Sequence, residues 1–260
     1  RNPRGDRGSL YGLNEEIRHI RVDTYICPTR GPRQITSVPG PSTWAGAPSD
    51  YAGNLGDVGR LENPTEPLEN VMFSSCYSVL RPPNIDGKRP NGTIVSLHDR
   101  FDSAGKKCVP CYVAPDDKKC GTTVRWTISL ELRQVTDGQS NTLLVGEKHI
   151  PMQDLGKTGQ DLANYVVYGD TAYWQGEGSW SQCRGGGPGF GIAQSPEEPA
   201  SKVTLLGIAG QVYVFGSYHP GVCNFSFTDG SVDTLATSID EITLGRLCNR
   251  EDGQVIEDKR

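Results

Sequence analysis

An α+β fold is predicted for this chain: an antiparallel β-sheet carrying long loops, closed by a short C-terminal helix. Three observations predict it. The first is a hairpin written in period two, with Cys223, Phe225 and Phe227 alternating with Asn224, Ser226 and Thr228, so that one row points inward and the other to water. The second is the run Ser238-Ile239-Asp240-Glu241, a capping-box pattern ahead of an apolar stripe. The third is composition: 32 Gly and 18 Pro in 260 residues mark much of the chain as loop between short strands. Four Trp and ten Tyr supply core material, which sets the chain apart from a disordered one.

The elements follow in order. Leu13 to Ile20 reads as a short helix or turn leading into a strand over Arg21 to Ile26. Gly31 to Pro67, rich in Pro, Gly, Ser and Asn, reads as a surface excursion held by Trp44 and Tyr51. Leu68 to Cys76 fits one or two helical turns. Strands are expected over Gly92 to Leu97, Thr142 to Val145 and Tyr165 to Tyr168, and Gln211 to Phe215 leads into the hairpin. Another strand is expected over Val124 to Leu132, with Val124, Trp126, Ile128, Leu130 and Leu132 on one face.

Asp229-Gly230 suits a two-residue type I′ turn. That turn would set Phe227 opposite Val232, Phe225 opposite Thr234 and Cys223 opposite Ala236. The final helix takes Ser238 as N-cap, presents Ile239, Ile242 and Leu247 with Leu244 on the flank, and stops before Asn249. No repeat of solenoid or propeller period is present. Residues 1–260 therefore read as a single globular head, with a Cys-rich insertion over 99–121.

Charge and motif content narrow the function. There are 26 basic and 31 acidic residues, a net charge of −5, and no basic stripe interleaved with aromatics, so nucleic acid is not the expected partner. Gly156-Lys157-Thr158 lacks the leading glycine of a P-loop, since Pro151 stands there. Gly185 to Gly191 reads as a flexible loop with neither a strand before it nor a helix after it. Arg4-Gly5-Asp6 and the sequons at Asn91 and Asn224 carry no function. Four histidines and no Gly-x-Ser-x-Gly elbow make an enzyme the disfavoured class.

Four blocks of sequence resemble one family. His219 and Asp229-Gly230, separated by nine residues, match the H-X9-DG signature of the DUF1559 family, prepilin-type proteins abundant in planctomycete bacteria. Asp137-Gly138, Ser140-Asn141-Thr142 and Gly146-Glu147 resemble its DG-SNT-hydrophobic-GE block. Cys27-Pro28-Thr29 resembles its CPS element, and Tyr51-Ala52-Gly53-Asn54-Leu55-Gly56 its Y-A-x-N-x-G element. The blocks stand in the family's order. The resemblance implies a pilin-like head whose long apolar N-terminal helix, the family's anchor, is absent from the sequence given.

From it follow a structural, non-catalytic envelope subunit, residence outside the cytoplasm, and self-assembly or docking to pilus or secretion machinery through that helix. Membrane contact would run through the helix alone. The alternative is an extracytoplasmic protein that binds a solute or glycan, with Trp174 and Trp180 as a stacking platform.

His219 and Asp229 are not expected to meet: along one straight strand they would lie roughly 33 Å apart at about 3.3 Å per residue. Asp229 and Gly230 read as turn residues and His219 as a loop brace. Asp137, Gly138, Ser140 and Asn141 read as a turn fixed by side-chain-to-backbone bonds, and Glu147 as a salt-bridge or capping partner. The eight cysteines, Cys27, Cys76, Cys108, Cys111, Cys120, Cys183, Cys223 and Cys248, read as envelope disulfide candidates of open connectivity.

No cofactor is required by the pattern. Two metals are weighed: zinc at His98, Cys108, Cys111 and Cys120, whose spacing could close a Cys3His site, and calcium through Asp229 and Asp233, with Asp240 nearby and Asp137 and Glu147 flanking the DG-SNT block. Disulfide chemistry is favoured over zinc, and no EF-hand spacing supports calcium.

Overall fold

The computed structural model describes residues 15–37, 45–57, 92–93, 98–101, 123–126, 131–161, 166–173, 183–199 and 214–256. Its centre is a mixed five-stranded sheet of order β10-β9-β5-β2-β8. These strands are β2 (Tyr51–Asp57), β5 (Leu143–Glu147), β8 (Cys183–Gly186), β9 (Val222–Phe227) and β10 (Val232–Ala236). All neighbours run antiparallel except β2 and β8, which are parallel. A three-stranded sheet joins β1 (Thr36–Ser37), β6 (Lys157–Asp161) and β7 (Val166–Gly169), and β3 (His98–Phe101) pairs with β4 (Thr123–Trp126). Helix α1 spans Glu15–Arg18 and α2 spans Glu241–Cys248. The fold is α+β, as the hairpin and the capped helix predict.

The core lies on one face of the large sheet. Leu143, Phe215, Cys223, Phe225, Phe227 and Leu235 pack there with Leu244, Leu247 and Cys248 of α2. The Phe215 and Phe225 rings meet edge to face at 5.0 Å. They press so closely on β5 that a Cβ at Gly146 would lie 2.5 Å from Phe225 and 2.7 Å from Phe215. Glycine is therefore obligatory at the position before Glu147.

Several expectations are corrected. The hairpin closes through Gly230 N–H to Phe227 C=O and Phe227 N–H to Ser231 C=O, with Gly230 at φ 86. This is a three-residue loop ending in a left-handed glycine, not a type I′ turn. The extra loop residue shifts the register by one, so Ser226 faces Val232, Phe225 faces Asp233 and Cys223 faces Leu235. Val232 consequently lies on the outer face and is 73% exposed.

Helix α2 is capped by Asp240, whose carboxylate accepts from Thr243 N–H at 2.9 Å, in place of Ser238. Ile242 turns outward, 58% exposed, while Leu244 and Leu247 are buried. Asp23–Tyr25 is a 3-10 turn where a strand was expected. Leu132, expected to end a strand, opens another such turn and is exposed. Gly92 and Thr93 form a bend, and the rest of the strand expected over Gly92 to Leu97 lies outside the described residues.

The glycine-rich segment begins as the buried strand β8. A Cβ on Gly186 would lie 2.5 Å from Leu244, so its glycines let α2 approach the sheet. Leu68 to Cys76, Trp174, Trp180 and most of 99–121 lie outside the described residues. No helix among the described residues is long and apolar enough to cross a membrane.

Candidate functional site

Strand β5 ends, and β2 and β9 begin, at the same edge of the large sheet, so the loops flanking them converge. Cys27, from the Cys-Pro-Thr block, lies beside the start of β2: its N–H donates to Asp50 Oδ2 at 2.7 Å. Glu147 is the last residue of β5 and, by strand alternation, points away from the Phe215–Phe225 side. His219 stands in the loop before β9, its N–H bonded to Ser217 Oγ at 3.0 Å and the same hydroxyl donating to Val222 C=O.

Three of the sequence blocks thus meet at one point. Cys27 Sγ is 3.5 Å and Glu147 Oε1 3.4 Å from the same histidine nitrogen, Nε2. The three side chains present their ligand atoms within 4.8 Å of one another, with Cys27 and Glu147 buried and His219 half-buried.

The carboxylate is oriented from behind. Asn224 donates to Glu147 Oε2 through its backbone N–H at 2.8 Å and its side-chain amide at 2.9 Å. Oε1 is buried without a hydrogen bond and faces His219. Burial raises the Cys27 thiol above its ordinary value, and Glu147 raises it further against the opposing Thr29 hydroxyl.

A frame of buried charge braces these loops. Asp50, 0% exposed, bridges Arg30 at 3.1 Å and Arg33 at 2.6 Å. Arg33 also grips both oxygens of Asp170, through Nε at 2.6 Å and Nη2 at 2.9 Å. Arg30 donates to the carbonyls of Lys148 and Gly216 and lies over the Tyr218 ring at 5.0 Å. It therefore ties the loops that carry Cys27 and His219 to the end of β5, beside Glu147.

Burial would raise the Asp50 carboxyl, but the Arg33 hydrogen bond and the Arg30 charge win and hold it below its ordinary value. Burial, with Arg184 nearby, brings Lys148 down to about 7. Burial likewise brings His149 down to about 4, in keeping with a neutral ring bonded through Nε2 to Glu198 C=O at 2.8 Å.

The remaining expected residues go elsewhere. His219 and Asp229 mark opposite ends of the β9 segment. Asp229 Oδ1 accepts from Ser231 N–H and hydroxyl at 2.9 and 2.6 Å, and Asp233 Oδ1 from Thr234 N–H at 2.8 Å. Asp137 accepts from the N–H groups of Asp252 and Gly253 at 2.7 and 2.8 Å. Gly138 takes φ 95, and Asn141 closes the turn onto it. The H-X9-DG turn rests on this one, with Thr228 Oγ1 donating to Gln139 C=O at 2.7 Å.

Cys27, Cys223 and Cys248 are free thiols, which corrects their reading as disulfide candidates. Cys223 and Cys248 serve as small apolar side chains of the core. Cys183 is not among the free thiols. Cys76, Cys108, Cys111 and Cys120 and the side chain of His98, and with them the expected zinc site, lie outside the described residues. The Cys27–Glu147–His219 convergence was missed because each member has a plausible solitary role. Their shared membership of motif blocks was the signal that could have joined them.

Cys27 and His219 do not form a nucleophile relay of the usual kind. Such a relay orients the histidine through its second ring nitrogen, whereas here thiol and carboxylate face the same one. What the arrangement can do is converge three donors on one point.

The family model described as "Protein of unknown function (DUF1559)" matches residues 6–241. No curated protein and no solved structure matches the chain.

Proposed function

The chain belongs to the DUF1559 family, and on that footing we propose that it is the head of a pilin-like envelope subunit, structural and non-catalytic. In this reading the head resides outside the cytoplasm, and the family's apolar N-terminal helix joins it to its own copies or to pilus or secretion machinery.

One observation carries the reading beyond family membership. On the sheet face opposite the core, the pairing register aligns Gly53, Val145, Ser226 and Val232 in a single row. The first three are half-buried and Val232 is exposed. A row of small and apolar residues across four strands supports the close approach of an apolar helix, because no long polar side chain has to be displaced or desolvated.

The test uses the full-length gene with its native N-terminus. Wild type is expected to polymerise, or to co-purify with pilus or secretion components. Val232→Lys, outward-facing and harmless to the core, is expected to lose that association with an unchanged melting temperature. Release of a soluble monomer after cleavage of an ordinary secretory signal would refute the reading, as would wild-type assembly by Val232→Lys.

A further inference from the structure

We infer that Cys27, Glu147 and His219 form a zinc site. Zinc takes thiolate, imidazole and carboxylate ligands in tetrahedral geometry, with bonds of about 2.3 Å to sulfur and about 2.0–2.2 Å to nitrogen and oxygen. Those bond lengths imply edges of about 3.6 Å from sulfur to nitrogen and about 3.4 Å from nitrogen to oxygen. Cys27 Sγ to His219 Nε2 is 3.5 Å, and His219 Nε2 to Glu147 Oε1 is 3.4 Å. Both separations match edges of a zinc tetrahedron.

The hydrogen-bond inventory points the same way. One imidazole nitrogen carries either a lone pair or a proton, so it serves the thiol or the carboxylate but not both, and the closer hydrogen-bond partner of the Cys27 sulfur is Thr29 Oγ1 at 3.0 Å. Glu147 Oε1 is buried without a hydrogen bond while Oε2 takes both Asn224 donors. A buried carboxylate oxygen left this way is costly, and a cation at the shared focus satisfies all three groups. Thiolate plus carboxylate supplies two negative charges against the two positive charges of zinc. The sulfur ligand selects zinc over calcium or magnesium, which take oxygen donors.

Asn224 holds the carboxylate from behind and Asp50 holds the Cys27 backbone, as outer partners of metal ligands do. Three protein ligands leave the fourth position to water, reached past the His219 side chain, which is 29% exposed. The site would join the loops ahead of β2 and β9 to the end of β5, where Glu147 stands two residues beyond Val145 on the same face of the strand.

Cobalt(II) is the probe. The full chain, stripped with chelator and titrated with cobalt, is expected to show a thiolate-to-cobalt charge-transfer band that zinc abolishes by displacement. Cys27→Ser is expected to lose the Cys27-dependent band, and His219→Ala to bind at least about tenfold more weakly. Cys108→Ser serves as the control and is expected to leave both unchanged. Should Cys27→Ser fail to fold, His219→Ala decides, since its ring is partly exposed. No band in the wild type, or a band of unchanged strength and affinity in the folded variants, overturns the site. The latter result would assign cobalt to other cysteines.

Discussion

Consecutive residues of β5 face two different solvents. Gly146 looks into a core of Phe215 and Phe225 rings, whereas Glu147 looks into a buried setting of thiol, imidazole and ion pairs. The apolar side is held by non-directional burial, which scales with area and tolerates modest repacking. The polar side is held by directional bonds between charges that water no longer screens. Every member there needs its partner. The two sides should therefore fail differently, the polar one when a partner is lost and the apolar one when volume is wrong.

Asp50 offers the hardest test of that contrast. Asp50→Ala leaves Arg30 and Arg33 beside an empty position, and Arg30 is buried with Asp50 as its carboxylate partner. Breaking a buried pair from one side costs about 3–5 kcal/mol, so urea unfolding should show the largest loss of any substitution considered. A loss below about 1 kcal/mol would mean that water reaches the arginines and that the frame is not a frame.

Gly146→Ala probes the apolar side of the same strand. The added methyl would sit 2.5 Å from Phe225, an overpacking that costs about 1–3 kcal/mol. It should also loosen cobalt binding, because β5 cannot shift away from the rings without moving Glu147. Lost stability with unchanged metal affinity would show that the two faces of β5 are mechanically separate.

What could be read from the sequence divides along the same line. Cys223, Phe225 and Phe227 announce the inner face by alternation alone, and the turn residues announce the hairpin. The register was misread by one because Asp229-Gly230 fits both a two-residue turn and the last two positions of a three-residue loop. Only the bonds from Phe227 to Gly230 and Ser231 separate them. Ser238 and Asp240 both suit a helix cap, and the choice between them depends on how α2 meets the sheet.

The Cys27–Glu147–His219 site is harder still. Cys27 and His219 lie 192 positions apart, and no local periodicity links residues brought together by loops at a sheet edge. The buried Asp50 and Arg30 and the half-buried Arg33 likewise carry no sequence signal of their ion pairs, since burial of an ion pair is a property of what surrounds it.

Asp240 gives the smallest and most local effect. Its carboxylate accepts Thr243 N–H at the start of α2, so Asp240→Ala should cost about 1 kcal/mol, the usual value of an N-cap. The Thr243 bond holds the carboxyl below its ordinary value. A group depressed in this way stabilises the fold above its unfolded pKa, and that stability is lost as pH falls through the folded one. The difference between wild type and Asp240→Ala should therefore be constant near neutrality and shrink as the pH falls below about 4. Asp240→Asn, which keeps an acceptor without the charge, should retain most of the stability while flattening that acid dependence. If the gap persists undiminished in acid, the cap acts through backbone conformation and not through its charged hydrogen bond. Cobalt binding should be unchanged in both variants, because α2 packs on the apolar side of the sheet, away from Glu147.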